Sequence, residues 1–182
     1  MTAAPALAFS EADWEGMALE ILAEPLGWRP ATGQRIAPGS GERHAWDELL
    51  IRSRLLDALR KFNPTVPAQY LQQALAEIAS PKSNDAITEN HRIHNYLVDG
   101  YRLSYIDSDG NEANPTIHLL SADPDQNDWL AVNQVTLVQG DYNRRFDLVL
   151  YCNGMPVSII ELKKAGSATA DRIDFRNPGG TL

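Results

Sequence analysis

Residues 146–164 read FDLVLYCNGMPVSIIELKK, and no other stretch narrows the fold of this chain so far. Two apolar runs flank Asn153-Gly154, a pair strongly favoured at the corner of a tight antiparallel hairpin. Three ionisable groups interrupt the apolar background. Asp147 stands at the head of the first run, and Glu161 and Lys163 at the tail of the second. Asp147 and Glu161 are equidistant from Gly154, so the bend returns both to one end of the ribbon.

Strand parity makes this a testable expectation, because directly opposed residues of an antiparallel pair share a face. A two-residue Asn-Gly loop pairs Cys152 with Met155 and Asp147 with Ile160, which sends Asp147 and Glu161 to opposite faces. A three-residue loop over Asn153, Gly154 and Met155 pairs Cys152 with Pro156 and sets Asp147 opposite Glu161. We expect the odd-numbered loop or an equivalent bulge. Asp147, Val149 and Tyr151 then share a face with Val157, Ile159, Glu161 and Lys163.

Two carboxylates held close together repel unless a hard cation lies between them. Mg²⁺ or Mn²⁺ bound by Asp147 and Glu161 would complete its shell with water and phosphate oxygens. It would polarise a phosphoryl group and acidify a bound water. Lys163 would orient that water and offset charge on the pentacovalent phosphorus. The pattern therefore suits metal-assisted phosphodiester hydrolysis. The plain alternative is a surface hairpin with a cross-strand Glu–Lys pair.

Charge bears on the substrate. The chain carries 24 acidic and 16 basic residues, a net −8, which repels DNA at long range. Positive residues gather locally at Arg144, Arg145, Lys163 and Lys164, around the acids, and these are the candidate DNA contacts. Weak intrinsic DNA affinity is expected, with other subunits delivering the substrate. The 182 residues suffice for one domain with its own core. A single cysteine, Cys152, excludes an internal disulfide and suits a reducing cytoplasmic setting, where it would serve as packing. No apolar run is long enough to cross a membrane, and the first ten residues lack the features of a secretory signal.

Helices come first along the chain. Ser10 and Asp13 open one with a capping box, and Trp14, Met17, Ala18, Ile21 and Leu22 give it a buried stripe. Glu11 falls inside that stripe and Glu15 at its margin; acids here either favour the helix macrodipole or point at the metal site. Pro25 and Gly27 end the helix, and a short strand is expected at Trp28 and Arg29. A second helix is expected over 45–62, with Trp46, Leu49, Leu50, Leu56, Leu59 and Phe62 inward. Its Arg52, Arg54, Arg60 and Lys61 form a solvated face or a DNA-touching one. Further helices are expected over 68–79 and 84–97. The second of these carries His91 and His94, which lack a third zinc ligand. From Gly100 the period becomes alternating: a hairpin turning at 107–110, an acidic loop at 121–128 that lacks the EF-hand order, and a strand over 129–138. Gln134 in that strand either contacts the acid site or simply fills a ladder position. Helices followed by a mostly antiparallel sheet make an α+β architecture.

The runs GERHAWDELLIRSRLLDALRKFNP, NHRIHNYLVDGYRLSY and 130–170, with NRR-x-D, NG-x-P and ELKK in order, resemble the PD-(D/E)XK nuclease superfamily. More closely, they resemble the N-terminal nuclease domain of type I restriction endonuclease R subunits, over residues 9–170. The resemblance implies a restriction-endonuclease-like core and Mg²⁺-dependent cleavage of double-stranded DNA. It also implies partnership with methyltransferase and specificity subunits. Asp147, Glu161 and Lys163 match its catalytic positions, and Glu15 matches an acid that the superfamily often carries on its first helix. Phe146 stands where the family usually has proline, and residues 171–182 diverge from the Gln/Tyr helix that follows ELKK in the family. No phosphate-cradling Gly-x-x-x-x-Gly-Lys loop is present, so ATP binding, which full-length relatives have, is not expected here. The chain reads as a truncated R subunit without motor domains. Alternative readings are a non-catalytic docking module and a remnant without function.

Overall fold

A computed structural model describes residues 10–162. Lys163, Lys164 and the divergent tail lie outside the described residues.

The chain opens with α1 (Glu11–Ala23). The Ser10 hydroxyl accepts from Asp13 N and the Asp13 carboxylate accepts from Ser10 N at 2.8 Å, the reciprocal capping box expected from the sequence. These bonds hold the Asp13 carboxyl below its ordinary pKa. Of the expected stripe only Ala18 and Leu22 turn inward. Trp14, Met17 and Ile21 are 38%, 40% and 58% exposed, and no residue of α1 is fully buried. The half-buried residues are Glu15, Ala18, Leu19, Leu22 and Ala23, so the helix is turned to bring Glu15 inward. Glu11 is exposed. On that face Gln134 of the sheet bonds the Glu15 carboxylate.

After α1 comes β1 (Arg29–Thr32), slightly later than the expected strand, and a one-turn 3₁₀ segment, Gly33–Ile36. Helix α2 spans Arg52–Phe62 and not 45–62. Residues 46–51 are committed elsewhere: Trp46 O accepts from Val138 N and Ile51 N donates to Gly154 O, both at 2.9 Å. Trp46 is accordingly 46% exposed. Inward from α2 point Leu55, Ala58 and Leu59. Leu55 and Leu59 are fully buried, which stabilises the fold by about 1.5–3 kcal/mol each. Helices α3 (Ala68–Ala79) and α4 (Ala86–Asp99) follow, α4 capped by Asp85 accepting from Thr88 N.

Four short strands come next: β2 (Tyr101–Arg102), β3 (Tyr105–Ile106), β4 (Glu112–Ala113) and β5 (Thr116–Ile117). They form the expected hairpin as two small ladders, β2 with β5 and β3 with β4. Asp107 closes the turn by accepting from Asp109 N and Asn111 N. The principal sheet contains β6 (Trp129–Gln139), β7 (Tyr142–Cys152) and β8 (Met155–Ile160), in the order β1-β6-β7-β8. β1 runs parallel to β6 and the other pairings are antiparallel. The α+β class read from the sequence is the one observed.

Two apolar clusters hold this together. One joins α2 and α3 to Leu103, Ile117, Leu119 and Met155; the other lies on the sheet, with Ile36 and Ile51 against Leu130, Val132, Val149 and Tyr151. Cys152 is buried between strands, as expected of a packing residue, and burial pushes its thiol up to about 12. Among the described residues no helix is long and apolar enough to cross a membrane.

Candidate functional site

The β7–β8 turn decides where the acids fall. Its loop has two residues, not the expected three: Cys152 pairs with Met155, and Asn153 and Gly154 take φ of 51° and 80°. Positive φ at both central positions is what a type I′ turn requires. Such a loop alone would separate Asp147 from Glu161. The ladder then shifts between Leu150 and Tyr151. Tyr151 faces Pro156 while Leu150 faces Ser158, so Val157 is the extra residue of a bulge. Pro156, and not Val157, therefore stands across from Tyr151. Beyond the bulge Val149 pairs with Ile159 and Leu148 with Ile160, the last pair of the ladder; continued by one residue, that register would bring Asp147 across from Glu161. The bulge does the work assigned to the odd loop, returning the ladder to the register that the parity reasoning required.

Asp147 is half-buried at the middle of β7. Its Oδ2 accepts from Leu162 N at 2.7 Å, a bond that ties the end of β8 back to β7. Glu161 Oε1 accepts from Arg144 Nη2 at 3.2 Å. The Arg144 guanidinium also lies over the Phe146 ring, 5.2 Å from its centre, so Phe146 supports the cation beside the acids. Arg145 is exposed on β7 opposite Thr136.

On the other side of Asp147 runs β6. Asn133 pairs with Leu148 and Val135 with Phe146, but the rung between them is skipped. Gln134 fills that position opposite Asp147, with a left-handed φ of 55°. Its Nε2 donates to Glu15 Oε1 at 2.5 Å. A row thus crosses the sheet: Glu161 on the segment after β8, Asp147 on β7, Gln134 on β6, with Glu15 on α1 bonded to Gln134. Gln134 is the residue whose importance sequence reasoning left open. Its signal, a lone amide in a strand, does not reveal the backbone conformation that aims it.

A hard divalent cation takes one or two protein carboxylates and fills its shell with water and phosphate oxygens. Among the described residues, no hydrogen bond engages Asp147 Oδ1 or Glu161 Oε2. The donor set fits Mg²⁺ or Mn²⁺ in kind. No three His, Cys, Asp or Glu side chains gather into a metal cage among the described residues. His91 and His94 are exposed on α4 and belong to no such group.

The basic residues of α2 do not form one solvated face. Arg54 forks onto Glu42 and reaches Asp128 at 2.7 Å, while Arg29 also pairs with Asp128. Arg54 is held strongly protonated by its bonds to Glu42 and Asp128, which outweigh its burial. These ion pairs join the loop before α2 to the start of β6. Beside them a cavity of about 770 Å³, lined by Arg29, Asp57, Lys61, Asp128 and Asn153, opens near the hairpin turn, at the far end of β7 from Asp147. Arg43, unremarked in the sequence, is almost fully buried and donates to Thr136 O at 2.8 Å.

Comparison with known proteins agrees with the resemblance read from the hairpin. The family model described as the N terminus of the type I restriction enzyme R protein matches residues 8–176. The type I restriction enzyme HindI endonuclease subunit of Haemophilus influenzae is 25% identical over 172 residues, 92% of this chain. A Methanocaldococcus jannaschii relative, provisionally named the type I restriction enzyme MjaIXP endonuclease subunit, is 23% identical over 146 residues, 78% of this chain. The chain spans 16% and 14% of the length of these two relatives. With nearly all of its length matched by one family, this chain belongs to the type I restriction enzyme R protein N-terminus family.

Proposed function

We propose that this chain is the nuclease module of a type I restriction system, cutting double-stranded DNA with the help of Mg²⁺. The observation that carries the reading is the register beyond Val157, which, continued one residue past Leu148 and Ile160, would bring Asp147 across from Glu161. A structural hairpin has no need of two facing carboxylates, and a metal site does. The relatives' naming as endonuclease subunits supports the same reading.

In this reading Asp147 and Glu161 hold the cation, and Leu162 N fixes the orientation of the Asp147 carboxylate. When bound, the cation supplies Lewis-acid polarisation of the phosphoryl oxygen and a more acidic water. Lys163 orients the attacking water, and Glu15, which forms no three-acid group with Asp147 and Glu161 among the described residues, approaches the site through its bond to Gln134. Arg144 and Arg145, with Lys164, attract the phosphate backbone locally on a chain whose net charge is −8. The unfavourable overall charge fits delivery of DNA by methyltransferase and specificity subunits in a common complex.

The test is Asp147→Ala and Lys163→Ala in the assembled restriction complex. Each should abolish cleavage, while Lys163→Ala keeps metal binding. Cleavage that survives either change rejects the assignment. The absence of a three-acid cage among the described residues favours a second reading, a docking module without chemistry. Calorimetry separates the two: Mg²⁺ heat with duplex DNA that Glu161→Ala removes supports the nuclease, and no heat supports the module.

A further inference from the structure

We propose that Gln134 is a positioning residue, held in a left-handed backbone conformation so that its amide fixes the Glu15 carboxylate on the β6 side of Asp147. The proposal rests on the nuclease reading and adds to it a residue outside the Asp-Glu-Lys set.

The first observation is conformational. Gln134 is a non-glycine residue at φ 55° in the middle of an eleven-residue strand. A long unbranched side chain does not choose this region, and nothing about a regular strand asks for it. Strain of this kind persists only where the surroundings impose it, and it concentrates at working sites. The surroundings here are identifiable. A Cβ on Gly33 would lie 2.0 Å from the Gln134 carbonyl oxygen and 3.1 Å from Val135 Cα. The 3₁₀ turn after β1 therefore presses bare backbone against the Gln134 peptide and braces it.

The second observation is what the conformation achieves. The rung opposite Asp147 is lost from the β6–β7 ladder, and Gln134 Nε2 reaches Glu15 across 119 positions of sequence. An amide donor bonded to one carboxylate oxygen leaves the other free and keeps the side chain in one rotamer. This is how groups behind a metal ligand act. α1 benefits from the tether, because none of its side chains is fully buried. The half-buried face centred on Glu15 is the face that such a bond would select.

The proposal separates a positioning role from a merely structural one through Gln134→Gly. Glycine accepts the positive φ without strain and removes the amide. Melting temperature, amide hydrogen exchange of residues 15–23 without metal, and Mg²⁺ affinity by calorimetry with a short duplex would be measured on this chain. Gln134→Gly should lower the melting temperature by only about 2–4 °C, the loss of one bond of about 1 kcal/mol, and speed exchange in α1 at least about tenfold. It should weaken Mg²⁺ about 10-fold or more, the usual effect of losing a group behind a ligand. Glu15→Ala should weaken Mg²⁺ similarly, and the double variant should be no worse than Glu15→Ala alone. Gln134→Asn, which tolerates the conformation but is one methylene short, should repeat the result and guards against a glycine-specific unfolding. Additive losses, Mg²⁺ affinity within twofold of wild type, or faster exchange with unchanged affinity would each overturn the proposal. If Asp147→Ala and Glu161→Ala leave the Mg²⁺ heat intact, the nuclease reading fails by itself. If those two abolish the heat and Gln134→Gly does not change it, only the Gln134 role fails.

Discussion

Asn153 offers a direct measure of how firmly the hairpin turn is tied to the rest of the fold. Its side chain is buried, only 2% exposed. The amide accepts from Asp128 N at 2.8 Å and donates to Leu119 O at 3.0 Å and Asn127 Oδ1 at 2.9 Å. Asn153→Gly removes all three bonds while keeping the φ of 51° accessible. At about 1 kcal/mol each the bonds amount to roughly 3 kcal/mol. Relief of backbone strain, about 1 kcal/mol, offsets the extra entropy glycine gains in the unfolded chain, about 0.5–1 kcal/mol. The net loss is roughly 3 kcal/mol, or about 6–12 °C in melting temperature for a domain of this size. Urea denaturation and scanning calorimetry measure both. Asn153→Ala keeps a Cβ at positive φ and should lose more than glycine does. A glycine variant within 1 kcal/mol of wild type, or a reversed order of the two variants, would refute the view that this amide is a tertiary tether.

Gly33→Ala should destabilise by about 1–3 kcal/mol in the same denaturation assay, because its methyl would meet the Gln134 carbonyl at 2.0 Å; an unchanged midpoint would contradict the close approach. Asp128 is penalised by burial, yet its bonds from Arg54 and Arg29 outweigh this and hold its carboxyl below the ordinary aspartate value. A depressed carboxylate stabilises the fold above its unfolded pKa and loses that contribution as pH falls through the lower, folded one. Asp128→Asn should therefore flatten the acid limb of stability measured from pH 5 down to about pH 2.5, and an unaltered limb would count against the ion-pair network. Cys152, its thiol pushed up to about 12 by burial, should react with a disulfide reagent at neutral pH only as fast as the protein opens; immediate stoichiometric labelling of the native protein would refute this.

The hairpin was legible because its signals are local. Asn-Gly announces a turn, and two acids equidistant from it demand a matched register. What periodicity and turn signals do not tell is which device supplies the match, a longer loop or a short loop with a bulge at Val157. α1 was placed well and oriented only in part. Apolar spacing favoured Trp14, Met17 and Ile21, but the helix faces Glu15 inward, where a strand far along the sequence bonds it. The start of α2 was misjudged for a related reason. Residues 46–51 have helical composition, yet their backbone serves Val138 and Gly154. Arg54 read as one cation on a solvated helix face, and only the fold shows Glu42 and Asp128 closing on it. Each miss accompanies a long-range polar contact, which no local pattern announces.

The extra residue at Val157 has a consequence beyond resetting the register. Among the described residues β8 is one of the two edge strands of the sheet, and its first half combines that irregularity with Pro156, which has no N–H to offer. A polypeptide laid along this margin from outside meets no even run of donors and acceptors until Ser158. Uninvited pairing between copies is thereby discouraged over the half nearest the turn. Any legitimate neighbour must enter from the half nearest the acids, so whatever extends the sheet there also becomes a wall of the place where the chemistry is proposed.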